Sequence, residues 1–332
     1  MRIIILGAGR VGESVAETLV SEANDITVVD PDPERLRALE DRLDLRGVAG
    51  NGVQPSILRA AGADDCDLFI ACTPLDETNL VACKIAHDVF GIPTTIARLR
   101  SPEFRQGDKL LEKDGFAVDH VICPEESVTR TIHQLIEYPE ALQVVKFSQS
   151  QAHLIVVRVS AGSYLANHSI AEFRAHRADV PMRIVGIYRR DQELPVAAET
   201  RVQAGDEVFV LTGRETVRAA LHTIGNPDRP VRRVMIAGGG QVGLRLARGL
   251  VGRCEVKILE SNRKRCDYLA SELPPEMLVL QGDGTDEDLL LDENVADMDL
   301  FIAVTNDDED NILSAMLAKR MGARRVMALI NR

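Results

Sequence analysis

The sequence predicts an α/β protein in which two parallel-sheet domains flank a small α+β lobe. Three observations lead to this prediction. Short apolar segments alternate with segments of helical periodicity over residues 1–137, the same pattern returns from residue 231, and the stretch between them changes in character. Buried strands that alternate with helices indicate a parallel sheet covered on both faces.

In the first domain, six apolar segments predict strands and six periodic segments predict helices. The predicted strands are 2–6, 25–30, 45–49, 67–72, 93–98 and 118–122. The predicted helices are 11–21, 32–43, 54–61, 76–90, 102–113 and 124–137. This order of elements is that of a doubly wound sheet.

The character of the chain changes around Glu137-Tyr138-Pro139-Glu140, which we take as a candidate hinge. Beyond it, the sequence predicts a small lobe with strands at 144–147, 154–159 and 207–211 and helices at 169–177 and 215–221. The turn-forming segment 225–230 predicts a linker. The predicted domains are therefore 1–138, 139–225 and 226–332.

The third domain is a copy of the first. Segments 2–12, 25–30, 50–52 and 71–79 return, in the same order, as 233–243, 255–260, 282–284 and 303–311. Their spacing agrees to within two residues over about a hundred positions, which indicates a duplicated module. In this register residue 332 corresponds to about residue 101 of the first copy. We therefore expect a truncated chain that lacks the last strand, the last helix and a second small lobe.

Composition and charge narrow the class of protein. The 332 residues suffice for two or three domains, and the net charge of −12 disfavours a general binder of nucleic acid or of anionic membranes. No apolar run approaches the ~20 residues that cross a bilayer. The six cysteines form no CxxC pair, which favours reduced thiols in a cytoplasm.

A glycine-rich loop, Gly7-x-Gly9-x-x-Gly12, lies between the first predicted strand and the first predicted helix. In a Rossmann-like domain the first glycine makes a tight turn, the second lets a pyrophosphate approach the backbone, and the third lets helix and strand pack closely. The helix N-terminus also favours negative charge. The alternative is a glycine turn whose binding site has decayed.

Asp30 ends the second predicted strand, where a carboxylate can accept hydrogen bonds from both ribose hydroxyls. A 2′-phosphate there would meet a like charge. The first module therefore favours NAD or an adenosine nucleotide over NADP.

Four further residues are candidates by their position at the ends of predicted strands. Thr73 follows the fourth strand, at the point where the strand order of a doubly wound sheet reverses, and it recurs as Thr305. The alternative for Thr73 is a plain turn or capping residue. Asn51 follows the third strand and could meet the adenine–ribose end. Arg98 and Arg100 close the fifth strand and could neutralise phosphate, or could simply be solvated.

Other polar clusters have ordinary interpretations. The pairs Asp76-Glu77 and Asp308-Glu309 begin helices, where carboxylates interact favourably with the helix dipole, and we prefer this interpretation to metal ligation. The seven histidines show no ligand spacing, so no metal site is predicted.

Several motifs together resemble one family. They are segment 2–12, Gly62-Ala63-Asp64-Asp65-Cys66-Asp67, Asp76-Glu77-Thr78-Asn79, segment 96–102, Leu135-Ile136-Glu137-Tyr138-Pro139 and segment 303–312. They are similar to the TrkA family, the peripheral regulatory subunits of Trk-type potassium uptake systems. That family is built from tandem RCK (KTN) units, each with a Rossmann lobe (RCK_N) and a small C-terminal lobe (RCK_C).

The resemblance implies a cytoplasmic protein, peripheral on the inner face of the plasma membrane, that assembles into a homo-oligomer, a tetrameric ring, on a membrane potassium-translocating subunit. It also implies that NAD(H), ATP and ADP bind the Rossmann lobes and gate transport. The implied residues of the first site are Gly7, Ala8, Gly9, Arg10, Val11, Asp30, Asn51, Thr73, Arg98 and Arg100. Those of the second are Gly238, Gly240, Gln241, Val242, Glu260, Asp283 and Thr305.

The second copy departs from the first at two positions. Glu260 replaces the aspartate, and Leu329 stands where the first copy has Arg98. Without an arginine at that position, we expect weaker affinity for phosphate in the second module.

Two other functions compete with the regulatory one. A dehydrogenase would need a general acid or base beside the nicotinamide, and the small lobe offers only His153, His168 and His176. A nucleotide sensor with no membrane partner is the third possibility, and co-purification with a membrane subunit would distinguish it. We predict a protein that is not an enzyme.

Overall fold

The structure is a computed structural model that describes residues 1–20, 22, 24–101, 103–105, 108–147, 151–224 and 230–330. The first sheet has six parallel strands in the order β3-β2-β1-β4-β5-β6. They are β1 (Arg2–Leu6), β2 (Asp25–Asp30), β3 (Arg46–Ala49), β4 (Leu68–Ala71), β5 (Thr94–Arg98) and β6 (His120–Ile122). This is the strand order of a dinucleotide-binding sheet, and it places β1 beside β4 with Leu6 opposite Ala71.

The helices of this part are α1 (Arg10–Val20), α2 (Pro33–Glu40), α3 (Pro55–Ala60), α4 (Asp76–Phe90), α5 (Asp108–Leu111) and α6 (Pro124–Glu137). Local chemistry fixes their ends. Asp32 caps α2 by accepting hydrogen bonds from the backbone of Glu34 and Arg35, and α4 ends at Gly91, which has a φ of +67°.

The prediction of one helix over 102–113 is wrong. The described residues form a short 3₁₀ turn at Glu103–Arg105 and the four-residue α5, while residues 102, 106 and 107 lie outside the described part. The chain then turns back, because the N–H of Phe116 donates to the carbonyl of Leu110. Gly115 fits against that carbonyl so closely that a Cβ would lie 2.2 Å from the oxygen.

The small lobe is an antiparallel sheet in the order β10-β9-β11-β8-β7. Its elements are β7 (Ala141–Phe147), β8 (Ala152–Arg158), α7 (Ile170–His176), β9 (Met182–Arg189), β10 (Gln192–Glu193), β11 (Glu207–Gly213) and α8 (Val217–Ile224). The strands β9 and β10 were not predicted. Gly186 weakens the strand pattern of β9, and it lies directly against Phe209. The predicted linker 225–230 lies outside the described residues except for Pro230.

The second module repeats the first sheet with five parallel strands in the order β14-β13-β12-β15-β16. The strands are β12 (Arg233–Ala237), β13 (Glu255–Glu260), β14 (Leu278–Gln281), β15 (Leu300–Ala303) and β16 (Arg325–Ala328). The helices are α9 (Gln241–Leu250), α10 (Arg263–Glu272), α11 (Glu287–Asp292) and α12 (Asp308–Arg320). Ala237 lies opposite Ala303, just as Leu6 lies opposite Ala71.

The chain divides into two compact units, residues 1–125 and 126–331. Helix α6 therefore belongs mainly to the second unit. Its side chains Val128, Ile132 and Ile136 pack in the core of the second module, together with residues such as Val234 and Leu246. The predicted boundaries at residues 138 and 225 follow the sheets rather than these units, and they stay a prediction.

Candidate functional site

The glycine loop of each module lies where its first and fourth strands end. Gly7 has a φ of +107° and packs against the backbone of Cys72 and Thr73. Gly238 has a φ of +109° and packs in the same way against Val304 and Thr305. A residue with a Cβ would be strained at either position. The loop therefore lies at the topological switch point, where ligands of such sheets bind.

The third glycine of each loop is required by packing. A Cβ on Gly12 would lie 1.8 Å from the carbonyl oxygen of Gly7, and one on Gly243 would lie 2.0 Å from that of Gly238. No side chain fits at that distance. These glycines therefore set how closely α1 and α9 pack on the loop.

No packing contact within the described part of the protein requires a glycine at the second position of the loop. A Cβ on Gly9 or on Gly240 would meet nothing within 4 Å, and neither residue has a positive φ. In both modules the glycine thus leaves open space beside the loop. The fold itself does not account for this absence of a side chain.

The acid at the end of the second strand holds the glycine loop. In the first module Asp30 is buried, and its carboxylate accepts the N–H of Ala8 at 2.7 Å and that of Asp32 at 2.9 Å. In the second module Glu260 accepts the N–H of Gly239 at 2.9 Å and that of Asn262 at 2.8 Å. A carboxylate oxygen has more than one lone pair, so both acids can accept further hydrogen bonds.

Asn51 and Asp283, which follow the third strands, are exposed and cap their own turns. Asn51 Oδ1 accepts the N–H of Val53 at 3.2 Å, and Asp283 Oδ1 accepts the N–H and the hydroxyl of Thr285. The next residue, Gly52, packs against Leu6, which brings this loop to the end of β1. The loop of Asn51 therefore lies at the end of β1, and the ribose contact predicted for Asn51 stays a prediction.

Thr73 and Thr305 are held by an asparagine that the sequence analysis did not assign. Asn79 is fully buried; its Oδ1 accepts the N–H and the hydroxyl of Thr73, and its Nδ2 donates to the carbonyls of Thr73 and Arg98. Asn311 makes the same four bonds to Thr305 and Leu329. Each asparagine ties the end of the fourth strand to the end of the fifth. The recurrence of Asn in both copies was the available signal.

The two arginines of the first module share one carboxylate. Arg98 Nη2 donates to Glu125 Oε1 at 2.6 Å, and Arg100 Nε lies 3.3 Å from the same oxygen. Burial raises the pKa of Glu125, but its own backbone N–H and the charges of Arg98 and Arg100 outweigh that effect and lower the pKa. Among the described residues, the buried Nε of Arg98 has no hydrogen-bond partner. Arg98 thus keeps an unused donor.

Asp76 begins helix α4, as the helix-dipole interpretation requires, and it also positions the backbone of Arg100. Its buried carboxylate accepts the backbone N–H of Arg100, at 2.9 Å from each oxygen, and that of Ser101 at 2.7 Å. The loop after β5 is therefore fixed to the start of α4. The sequence analysis noted Asp76 without seeing this contact.

The remaining candidate side chains differ in exposure. Val11 and Val242 pack against the cores of their modules, while Arg10 and Gln241 are exposed at the first position of α1 and α9. The roles predicted for all of these site residues stay predictions.

The histidines considered for a dehydrogenase serve packing in the small lobe. His153 is buried in β8, and burial together with the charges of Lys146 and Arg214 lowers its pKa. The rings of His168 and His176 both stack on the ring of Tyr164, with centroid distances of 4.2 and 3.7 Å. In the described ranges, no group of three or more His, Cys, Asp or Glu side chains could hold a metal ion. None of the helices in these ranges is long and apolar enough to cross a membrane.

Comparison with known families identifies both kinds of lobe. A family model described as the TrkA-N domain matches residues 3–124 and again 234–332, and one described as the TrkA-C domain matches residues 154–225. The chain belongs to the TrkA family. The predicted resemblance is confirmed, and both glycine loops lie within TrkA-N domains.

Relatives in this family align with the whole chain. The Trk system potassium uptake protein TrkA of Vibrio alginolyticus is 44% identical over 333 residues, and that of Halomonas elongata is 45% identical over 331 residues. The alignments cover all of this chain and 72% of each relative.

Solved structures share the fold at low sequence identity. The GsuK RCK domain aligns with a TM-score of 0.69 and 18% identity, covering 98% of this chain and 73% of that one. The GsuK channel bound to NAD aligns with a TM-score of 0.67 and 18% identity, covering 98% and 60%. The predicted fold class, tandem Rossmann-like domains with a small α+β lobe between them, is confirmed.

Proposed function

We propose that this chain is the regulatory subunit of a Trk-type potassium uptake system and that NAD(H) and adenine nucleotides bind its first module. The observation that carries the proposal is the open space beside Gly9, since this glycine answers no steric or conformational need of the protein. A pyrophosphate lying against the backbone is what this position accommodates. The relatives' shared name supports the potassium-uptake role.

The residues of the first module fit such a nucleotide. The N-terminus of α1 favours its phosphates, and Asp30 retains lone pairs for the two ribose hydroxyls. Arg98 and Arg100 supply positive charge beside Glu125, and the buried Nε of Arg98 has no hydrogen-bond partner within the described residues. When bound, the nucleotide supplies phosphate charge that differs between NAD, ADP and ATP.

Regulation follows if these ligands bind two conformations with different affinity. A ligand shifts such an equilibrium only by its differential affinity, so discrimination lies in the contacts of the Gly7 loop and of Arg98 and Arg100. The same proposal includes three further points. The chain acts on a membrane potassium-translocating subunit, it forms a homo-oligomeric ring, and it lies peripherally on the inner face of the membrane.

A hydride-transfer enzyme is the alternative, and the site gives it little support. The three small-lobe histidines are engaged in packing. We therefore propose that bound NADH is sensed rather than consumed.

Titration calorimetry tests the first step. NADH, NAD, ATP, ADP and NADPH are titrated into the wild-type chain and into Asp30→Ala, with Asp25→Ala, at the other end of β2, as the matched control. We expect Asp30→Ala to weaken NADH by about tenfold or more and Asp25→Ala to leave it unchanged, because only Asp30 meets the ribose.

Asp30 also holds the glycine loop, so Asp30→Asn, which keeps one acceptor oxygen, separates loop collapse from lost ribose contacts. Failure of all five nucleotides to bind would show that the loop is structural. Equal binding of all five would exclude the switch.

Nucleotide-dependent potassium flux in proteoliposomes with the membrane subunit then tests gating. Oxidation of NADH by the chain would support the enzyme instead.

A further inference from the structure

The two modules carry opposite charge in the segment that begins with the acid of the second strand, 30–35 in the first module and 260–265 in the second. We call this part of each site its corner. After the acid of the second strand, the first module continues with Asp32, Glu34 and Arg35, whereas the second continues with Arg263, Lys264 and Arg265. Segment 30–35 has a net charge of −2 and segment 260–265 has a net charge of +2. Even when Asp283 is counted against its counterpart Asn51, the second module is more positive by three charges.

Arg265 is fixed against the glycine loop of the second module. Its Nε donates to the carbonyl of Gly239 at 2.7 Å, and its guanidinium carbon lies 4.7 Å from the ring centroid of Tyr268. Its backbone N–H is capped by Asn262. Its counterpart Arg35 is different, because it is exposed and pairs with Asp32 at 3.3 Å.

The Arg265 guanidinium also retains an unused donor. Nη2 is buried, and it has no hydrogen-bond partner within the part of the chain that the structure describes. A buried N–H without an acceptor is costly, so a ligand that brings an anionic acceptor to this corner is favoured.

The corner has a defined place in a Rossmann-like site. The acid at the end of the second strand meets the adenosine ribose, and an arginine nearby accommodates a phosphate on its 2′ position. Both oxygens of Glu260 accept backbone N–H groups, as those of Asp30 do, so the modules differ at this position in charge rather than in hydrogen bonding. Its single charge is opposed by three cations on the first turn of α10.

We infer that the second module binds an adenosine nucleotide with a 2′-phosphate, the class to which NADP(H) belongs, and that Arg265 determines this specificity. This inference rests on the proposed function of the glycine loops. It assigns different ligands to the two modules, because Asp30 and its acidic neighbours repel the phosphate that Arg265 attracts.

Titrations of four ligands into the full chain test the inference. NADPH and NADH are the dinucleotide pair; 2′,5′-ADP and 5′-ADP differ in where the second phosphate is attached. The variants are Arg265→Gln, Arg265→Lys and, as the matched control in the first module, Arg35→Gln. Asp30→Ala reports which module a ligand occupies.

We expect one NADPH site per chain and, in Asp30→Ala, where the first module is weakened, 2′,5′-ADP bound more tightly than 5′-ADP by about tenfold. Arg265→Gln should weaken NADPH and 2′,5′-ADP by about tenfold or more, and Arg265→Lys by less, because the charge remains but the planar fork is lost. Arg35→Gln should change neither, and Asp30→Ala should weaken NADH while NADPH binding persists.

Three outcomes would overturn the inference: loss of NADPH binding in Asp30→Ala, unchanged NADPH affinity in Arg265→Gln, or no preference of Asp30→Ala for 2′,5′-ADP over 5′-ADP. Binding of NADH that depends on Asp30, without any binding of NADPH, would refute the inference alone. If no nucleotide binds at all, the proposed function fails together with it.

Discussion

Gly9 and Gly12 belong to one loop, yet a methyl group at each has opposite consequences. At Gly12 it collides with the Gly7 carbonyl, so helix α1 must move away from β1. At Gly9 it points into open space. One glycine therefore serves the fold, and the other serves the ligand.

Gly12→Ala should lower the free energy of unfolding by about 3 kcal/mol because of the backbone clash. Gly9→Ala should change it by less than about 1 kcal/mol, the scale of a substitution just before a helix. Chemical denaturation measures both, and NADH titration of Gly9→Ala should show affinity reduced by about tenfold or more. An unchanged NADH affinity in Gly9→Ala would mean that the ligand does not approach this backbone.

At the residue scale, the sequence motif predicted the tight turn at Gly7 and the close packing at Gly12, since the spacing of the glycines reflects local backbone geometry. The ligand contacts of the glycines and the acids stay predictions. They could not reveal Glu125, which meets Arg98 across 27 positions of sequence, or the loop contacts of Arg265. Such pairs depend on which loops the fold brings together. Asn79 lay between these cases, because its recurrence was visible but its four hydrogen bonds were not.

At the scale of elements, a partly buried ion pair joins the end of β9 to the turn before β11 in the small lobe. Arg189, at the end of β9, donates to Asp206 from Nε at 2.8 Å and from Nη2 at 2.9 Å, and Asp206 also accepts the N–H of Gln203. Burial raises the pKa of Asp206, but these hydrogen bonds and the charge of Arg189 outweigh it and lower the pKa. The pair thus fixes the turn before β11.

Asp206→Asn should destabilise the lobe at neutral pH by about 2 kcal/mol, since it leaves a partly buried guanidinium without its counter-ion. A lowered pKa stabilises the fold above the unfolded carboxyl pKa, and this contribution is lost as the pH falls through the lower folded value. Urea unfolding between pH 3 and 7 should therefore show wild type and variant converging in acid. The control Asp179→Asn, in an exposed pair with Arg177, should have little effect at any pH. A constant difference between wild type and Asp206→Asn across the range would contradict this assignment.

Apolar segments gave most elements correctly because strands of a parallel sheet are apolar along their whole length. Strand β9 escaped notice because Arg183, Gly186 and Arg189 interrupt its apolar residues, so that it shows neither a continuous apolar run nor a strict alternation. The predicted helix 102–113 failed because helical periodicity does not register that α5 ends at Leu111, where the chain turns back and Phe116 bonds to Leu110.

At the scale of the whole molecule, helix α6 departs from the domain order of the sequence. It follows the last strand of the first sheet, but Ile132 is buried among the core residues of the second module. No local pattern could show this, because an amphipathic helix specifies an apolar face without specifying its partner.

Ile132→Ala should therefore weaken the second module, by about 2 kcal/mol for a buried aliphatic side chain. Hydrogen exchange should quicken in β12 and α9, while the first sheet keeps its protection. The same substitution at the exposed Ile312 of α12 serves as the control and should have little effect. Faster exchange confined to β1 and β4 would instead place the helix against the first sheet.

The duplicated module also has a consequence for how the two sites can evolve. Both copies are translated as one polypeptide, so any assembly of this chain contains them in equal numbers, whatever the level of expression. A mutation in one copy leaves the other intact. An oligomer of single-module chains has identical sites and responds to the concentration of one ligand, whereas a fused pair can compare two ligand pools at a fixed stoichiometry.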